Sequence, residues 1–372
     1  MIKVVFLIRS LDRGGTERQI ATVIPRLSKD RFDVTVISFY PGGEFAAELA
    51  AKDIEVRSLN KRGRWDALVL WRLVRELKKL DPAILHSYLV EPNLAAVYIK
   101  PWLKSTRLIW GVRASAVEYS KQDWFTRTNF RLQSFFSRFA DLVIFNSNAG
   151  RDFHFAVGFR PRKSIVIHSG VDPELFKPDP ELGMMTRREW GVRDGTVLVG
   201  LIARLDPMKD HPTFLRASAL VAREMTSCRF VCVGAGPEGY AARLRRLAEE
   251  LGLSDRLIWA GGRSDMPAVY NAVDIVCSSS TTEGLPNAIA EAMACGVPCV
   301  VTNVGDSLLL VGDTGVVVPP SDPKALADGL IQLIDDRGNE GRPDPRARII
   351  NGFGIHRLVE RTEAALASLV QS

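Results

Sequence analysis

Short apolar runs alternate along nearly the whole chain with stretches whose apolar residues recur at helical spacing. In the first half the runs at 3–8, 33–39, 54–58, 83–86, 107–110, 142–146 and 164–168 read as buried strands. In the second half the corresponding runs are 197–202, 229–233, 257–260, 274–277, 299–302 and 315–318. Strands buried on both faces and separated by amphipathic helices specify a parallel sheet, because a parallel pair needs a crossover and a helix supplies it. The series breaks between about 171 and 194, where Asp172-Pro173, Lys177-Pro178-Asp179-Pro180 and Gly183 interrupt regular structure and predict an interdomain linker. Residues 335–345 are polar and rich in Pro and Gly and read as a loop, whereas 354–370 carries an amphipathic helical pattern.

At 372 residues the chain exceeds what one hydrophobic core serves, so two domains are expected. No run of about 18 or more uncharged apolar residues occurs. The run 4–8 is too short for a signal-peptide core before Arg9 and Asp12 interrupt it. The cysteines (Cys228, Cys232, Cys277, Cys295 and Cys299) are odd in number and lack Cys-x-x-Cys spacing, which fits structural thiols in a reduced, cytoplasmic protein. A net charge of +6 admits nucleic acid, an anionic membrane face or anionic substrates alike. Its basic residues are dispersed over both halves instead of forming one stripe, which argues against nucleic acid.

The segment 283–298 carries the most chemistry. Glu283 lies in a Ser/Thr/Gly loop and Glu291 eight positions later, inside the helix that follows, so the two carboxylates are placed to serve one ligand. Pro286 suits the first helical position and Gly296 followed by Pro298 stops the helix. The open amides of that first turn favour an anion such as a diphosphate. A buried helix with incidental acids would explain Ala288, Ile289, Ala292 and Met293 but neither glutamate. In the loop after 197–202, Arg204 and Lys209 stand where the ligand crevice of an open α/β sheet lies, at a strand's carboxyl end, and are placed to meet phosphate oxygens.

Two glycine-rich turns bear on the reaction class. Gly234-Ala235-Gly236-Pro237-Glu238-Gly239 follows a strand and opens a helix, as a dinucleotide-binding turn would. The acid that would hold a ribose after the next strand is missing, since Gly261, Gly262 and Arg263 stand there. The triplet therefore reads as a tight turn, with hydride transfer the disfavoured alternative. Earlier, Gly14-Gly15 precede a helix running to about Ser28, for which Thr16 and Gln19 form a capping-box pair and Ile20, Val23, Ile24 and Leu27 the buried side. These glycines permit close approach of a ligand, and a plain loop explains them equally well.

With these residues assembled, the chain resembles the retaining glycosyltransferases of the GT-B fold, family four (glycosyl transferases group 1), which use nucleotide-sugar donors. The resemblance rests on Gly14-Gly15-Thr16-Glu17, on 165–176 with Gly170-Val171-Asp172, on Arg204 to Lys209, on Gly234-Ala235-Gly236-Pro237, and on Glu283 to Glu291 with Gly296-Val297-Pro298. It covers essentially the whole chain and implies an α/β fold of two Rossmann-like domains facing a central cleft. The implied division is an acceptor-side domain at 1–172, a nucleotide-sugar-binding domain at 173–353, and a helix within 354–372 crossing back to the first domain.

The resemblance also implies roles. Arg204 and Lys209 neutralise the departing diphosphate, Glu283 lies against the transferred sugar, and Glu291 binds the ribose hydroxyls. Amides around Gly284, Leu285 and Asn287 hold phosphate or sugar oxygens, Gly15 approaches the donor phosphate, and Arg263 lies near the base. Many relatives carry His-x-His at the end of the strand read as 83–86, whereas this chain has His86-Ser87-Tyr88, which makes His86 either a catalytic candidate or a packed strand-end residue and Tyr88 an acceptor-side candidate. The segment Asn303-Val304-Gly305-Asp306-Ser307 departs from the family's glycine pair followed by Glu. Neither cofactor nor metal is expected, because fixed cations and a helix N-terminus stabilise a departing nucleoside diphosphate and the chain has no Asp-x-Asp.

On the acceptor side, Tyr119, Trp124, Phe125, Phe130, Phe135, Phe136 and Phe139 are interleaved with Lys121, Arg127, Arg131 and Arg138. Either this stretch meets an anionic leaflet and admits a lipid-linked acceptor, or its aromatics are core and its arginines solvated. Trp124 and Phe125 lean to the membrane, and Phe135, Phe136 and Phe139 to the core. Arg113, after the strand 107–110, is placed to meet an anionic acceptor. The expected protein is a cytoplasmic, retaining, metal-independent hexosyltransferase, peripheral on the inner face of the cell membrane. Its donor would be a UDP-sugar and its acceptor a saccharide or lipid-linked glycan of polysaccharide, lipopolysaccharide or glycolipid assembly. The competing class is a non-catalytic nucleotide-sugar or glycan binding protein of the same fold, against which Arg204, Lys209, Glu283 and Glu291 together count.

Overall fold

The computed structural model describes residues 1–12, 14–63, 65–113, 124–339 and 341–370. Two compact units form, one from Met1–Gly170 with Ile355–Ser372 and the other from Val171–Gly354. The expectations placed on Tyr119 and Lys121 lie outside the described residues.

The first unit has seven strands: β1 (Ile2–Ile8), β2 (Phe32–Ser38), β3 (Glu55–Ser58), β4 (Ile84–Tyr88), β5 (Arg107–Val112), β6 (Leu142–Phe145) and β7 (Ser164–Val166). They pair in parallel in the order β3-β2-β1-β4-β5-β6-β7. Its helices are α1 (Gly15–Val23), α2 (Glu44–Ala50), α3 (Leu68–Leu80), α4 (Val90–Ile99), α5 (Trp124–Phe136), α6 (Asn148–Ala156) and the chain's last helix, α15 (Ile355–Val370). Alternation along β1 divides the core, Val4, Phe6 and Ile8 packing with α1 and α15 and Val5 and Leu7 on the side of α3 and α4. Helix α15 is further tied down by Glu363, which accepts from the Ser28 amide at 2.7 Å and from Arg31 at 2.9 Å.

The second unit has β8 (Val197–Ile202), β9 (Cys228–Val233), β10 (Leu257–Gly261), β11 (Ile275–Ser278), β12 (Cys299–Thr302) and β13 (Val316–Val318), parallel in the order β10-β9-β8-β11-β12-β13. Its helices are α7 (Pro180–Glu189), α8 (His211–Glu224), α9 (Glu238–Glu250), α10 (Met266–Ala272), α11 (Asn287–Ala294), α12 (Ser307–Val311), α13 (Pro323–Asp335) and α14 (Pro345–Phe353). In each sheet the strand order reverses once, between β1 and β4 and between β8 and β11. A doubly wound sheet opens a crevice at the carboxyl ends of such a strand pair. All five cysteines are free and buried, and burial pushes the Cys228 and Cys295 thiols up to about 12.

Five local expectations need correction. The segment read as a linker contains α7, because Pro180 at the first helical position and Asp179, whose carboxylate accepts from the Leu182 amide at 3.0 Å, start a helix. Gly183 lets α7 lie against α10, since a Cβ there would come within 2.2 Å of the Asn271 carbonyl. In the same way Asp344 caps α14 just beyond the polar loop. Thr16 does not cap α1: Gly14 holds that place without a side-chain bond, and Gln19 instead accepts from Ser169 at 2.9 Å. Helix α11 begins at Asn287, one residue after Pro286, whose carbonyl accepts from Ile289 and Ala290. Finally, β4 runs on to Tyr88, so His86 is inside the strand.

Candidate functional site

At the reversal point of the second sheet, the loops after β8 and β11 are stitched together. Asp206 caps the short turn Pro207–Lys209. Asp210 then enters the left-handed region (φ 43°) and caps α8 through the Thr213 amide and hydroxyl, which turns the chain back and leaves Lys209 at the crevice. Ser279 donates to the carbonyl oxygens of Lys209 (2.9 Å) and Asp210 (3.0 Å), and the Thr281 amide to that of Met208 (2.9 Å). Between these loops the Lys209 ammonium and the Ser280 hydroxyl donate to one oxygen of Glu283, at 2.5 and 2.7 Å. The Glu283 side chain is only 12% exposed. A paired, half-buried carboxylate so placed can face a bound sugar, and the ammonium keeps donors for an incoming anion.

Neighbouring glycines shape this crevice. A Cβ at Gly305 (φ 59°) would come within 2.3 Å of the Glu283 carbonyl, and the Asp306 amide donates to Gly284 O at 2.7 Å. The 303–307 segment thus holds the glutamate loop, a role that its irregular pattern concealed. Gly234 and Gly236 lie under the Arg204 loop, where Cβ atoms would meet the carbonyls of Ala203 at 1.9 Å and Leu205 at 2.3 Å. Close packing of two loops therefore accounts for this glycine pair. Arg204 itself is 78% exposed, and among the described residues its one ion-pair contact is Asp206 at 3.6 Å.

Glu291 sits on α11 and accepts from the buried Tyr270 hydroxyl at 2.9 Å. The far end of α11 is anchored by Arg346 of α14, which donates to the carbonyls of Ala294, Phe176 and Pro173. The guanidinium of Arg263 pairs with Glu189 and with Asp265, whose hydrogen bonds hold it well above its ordinary pKa, so both forks of its planar group are engaged by carboxylates.

In the first unit the carboxyl ends of β4 and β5 carry a second set. His86 is buried, stacks on Tyr88 with ring centroids 4.3 Å apart, and its Nε2 has no partner among the described residues. Tyr88 lies over Gly111, its register partner, where a Cβ would be 2.5 Å from the ring. Arg113 donates to Ser169 at 2.8 Å, and Ser169 to Gln19. Burial lowers Arg113 to about 10, opposed by Tyr88 and Glu17, so it stays charged at neutral pH. The contact of Gln19 with Ser169 is invisible in the sequence, because it spans 150 residues. Gly15 opens α1 with nothing within 4 Å of where a Cβ would lie, so no local contact demands a glycine there.

On α5, Phe130 is buried and Trp124 is exposed. Phe135 on α5 and Phe139 in the short turn Ser137–Phe139 that follows it, both expected in the core, are exposed instead, whereas Phe136 is half-buried against the core on the α3 and α4 side. Among the described residues no helix is long and apolar enough to cross a membrane, and no group of three His, Cys, Asp or Glu residues is arranged to hold a metal.

The buried His86 makes stability pH-dependent. Burial, with the Arg113 charge adding to it, pushes its pKa down to about 3, while in the unfolded chain the imidazole titrates near 6.5. The unfolded state therefore takes up a proton that the fold refuses, and stability falls as pH drops through the unfolded pKa, levelling only near the folded value. From pH 7 to pH 5 this one group is expected to cost about 2 kcal/mol. Denaturant unfolding of a His86→Phe variant should show a correspondingly smaller loss over that interval. An equal loss in parent and variant would mean that the folded imidazole carries a proton.

Residues 13–175 match the family described as Glycosyltransferase Family 4, and 196–336 match Glycosyl transferases group 1. The UDP-Gal:alpha-D-GlcNAc-diphosphoundecaprenol alpha-1,3-galactosyltransferase of Escherichia coli is 29% identical over 215 residues, 56% of this chain and 55% of that protein. The GDP-mannose-dependent alpha-(1-6)-phosphatidylinositol monomannoside mannosyltransferase of Mycolicibacterium smegmatis is 32% identical over 209 residues, 53% of this chain and 54% of that protein. The chain spans about half the length of the curated relatives it matches. The crystal structure of Anabaena HepE with UDP and glucose superposes with a TM-score of 0.85 at 23% identity, over 99% of this chain and 100% of that one, a likeness of fold.

Proposed function

The chain belongs to the group 1 glycosyl transferases of family 4, and from that membership we propose that it is a retaining, metal-independent hexosyltransferase that moves a sugar from a UDP-sugar to a lipid-linked saccharide. The Lys209–Glu283 pair at the reversal of the second sheet, with Arg204 in the same loop as Lys209, carries this reading. In the reaction the bond between the anomeric carbon and the diphosphate oxygen breaks and negative charge grows on the diphosphate. Arg204, the Lys209 ammonium and the first-turn amides of α11 meet that charge, which is the electrostatic work such a departure requires. Glu283, held by Lys209 and Ser280, orients the transferred sugar, and Glu291 takes the ribose hydroxyls. Arg113, Tyr88 and His86 belong to the acceptor side in the first unit. Trp124, two-thirds exposed, supports a peripheral contact with an anionic membrane on the cytoplasmic face.

Uridine is preferred over guanosine on the likeness to a fold solved with UDP and to a relative named for UDP-Gal, against the relative named for GDP-mannose. Thermal unfolding with UDP, GDP and ADP tests this. UDP at a hundred times its Kd should stabilise the protein by about 2.7 kcal/mol. A shift with GDP and none with UDP would transfer the proposal to a guanosine donor. Binding of a nucleotide sugar without release of nucleoside diphosphate, in the presence of glycolipid extracts, would favour the non-catalytic binding protein.

A further inference from the structure

A cavity of about 610 Å³ opens at the outer edge of the first sheet, at the carboxyl end of β3, lined by Arg57, Asn60, Arg62, Arg72, Arg75 and Glu76 among others. Four guanidinium groups make this cavity cationic, and the local acids offset that charge only in part. Arg57 is paired with Glu55 and Glu76, and Arg72 with Asp66. Arg62 and Arg75 have no carboxylate in ion-pair contact among the described residues, and the buried Nε of Arg72 lacks a hydrogen-bond partner. Arg75 instead lies over the Trp71 ring at 5.7 Å. Planar guanidinium forks match phosphate oxygens, so a phosphate or diphosphate is the anion whose geometry fits.

The rim next to the cavity is apolar. Trp65, Leu68 and Trp71, at and just before the start of α3, are exposed by 75%, 67% and 62%, and Trp65 stands edge-on to Phe125 at 5.7 Å. Three large apolar side chains beside a cationic cavity complement a molecule with an anionic head and a hydrocarbon body. The cavity shares the carboxyl rim of the sheet with the β1/β4 reversal and lies two strands away, about 10 Å by strand spacing. A lipid-linked saccharide has such a span between its phosphate and its reacting sugar.

We propose that this cavity seats the phosphate or diphosphate of a prenyl-linked acceptor, with the hydrocarbon chain running over Trp65, Leu68 and Trp71. The proposal rests on the transferase reading only for the presence of a saccharide on that lipid. Calorimetric titration with geranyl diphosphate and with inorganic pyrophosphate tests it, UDP being present at saturation so that the donor diphosphate site is filled. Geranyl diphosphate should bind once per chain and more tightly than pyrophosphate. The double variant Arg62→Ser/Arg75→Ser, at two exposed positions, should weaken both at least tenfold, and Leu68→Ser/Trp71→Ser should weaken the prenyl compound alone. UDP affinity should be the same in all three proteins, which establishes that the variants fold. Unchanged geranyl diphosphate affinity in the arginine variant overturns the proposal. Pyrophosphate binding as tight as that of geranyl diphosphate, and indifferent to the apolar variant, overturns the lipid part and identifies a site for soluble phosphate. Failure of the parent to bind UDP would count against the transferase reading alone, and the geranyl diphosphate titration would still decide the cavity.

Discussion

Arg204→Ala and Lys209→Ala are each expected to lower turnover by roughly tenfold to a thousandfold, the scale on which loss of one positioned charge from a developing anion is felt. The two variants differ in what else they disturb. Arg204 is largely exposed and among the described residues its one ion-pair partner is Asp206, so its removal should leave thermal stability unchanged and lower kcat with little structural consequence. Removing Lys209 also takes one of two donors from the half-buried Glu283, leaving Ser280 as the other, and should lower the melting temperature as well. A Lys209→Arg variant restores the charge without the geometry and should recover stability more than rate. EDTA should leave the parent's turnover unaffected, because the charge on the departing diphosphate is met by fixed side chains and amides in this mechanism. Full activity in both alanine variants, or inhibition by EDTA relieved by a divalent cation, would remove Arg204 and Lys209 from the leaving-group role.

The parts of this fold that a reader can find in the sequence are those governed by short-range physics. The central strands are buried on both faces, so their apolar runs have no surface face to break them, and 197–202 and 229–233 coincide with β8 and nearly with β9. Helix starts were misread where one residue carries two meanings. Asp179-Pro180 and Asp344-Pro345 are turn signals in a linker and start signals when a helix follows, and only packing against α10 and α11 decides between them. The site was legible as a set of chemical groups and not as a set of contacts. Nothing local joins Lys209 to Glu283, 74 residues apart; their meeting follows from β8 and β11 being neighbours, which strand order fixes and periodicity does not, whereas Ser280 reaches the same oxygen from within the glutamate loop. Conversely, the sequence assigns no role to the arginines around β3 and α3, because a cavity has no signature in spacing.

Glu291→Ala is the variant in which binding and folding are most easily confused, and three substitutions separate them. In the fold Glu291 accepts a hydrogen bond from Tyr270, a buried tyrosine of the second unit's core. Deleting the carboxylate takes that acceptor from a buried hydroxyl and should lower the melting temperature. It also removes the charge-assisted bond to ribose, for which a loss of roughly tenfold or more in UDP affinity is expected. Tyr270→Phe removes the hydroxyl and leaves the carboxylate, so it should change UDP affinity little. Glu291→Gln keeps an oxygen for the Tyr270 hydroxyl and loses only the charge, so it should retain the parent's melting temperature and lose donor affinity. Calorimetry with UDP on the three variants gives the answer directly. Parent-like affinity in Glu291→Gln and Glu291→Ala alike would make this residue a support for Tyr270 and leave the ribose to another group, for which the amides at the start of α11 are the nearest candidates in sequence.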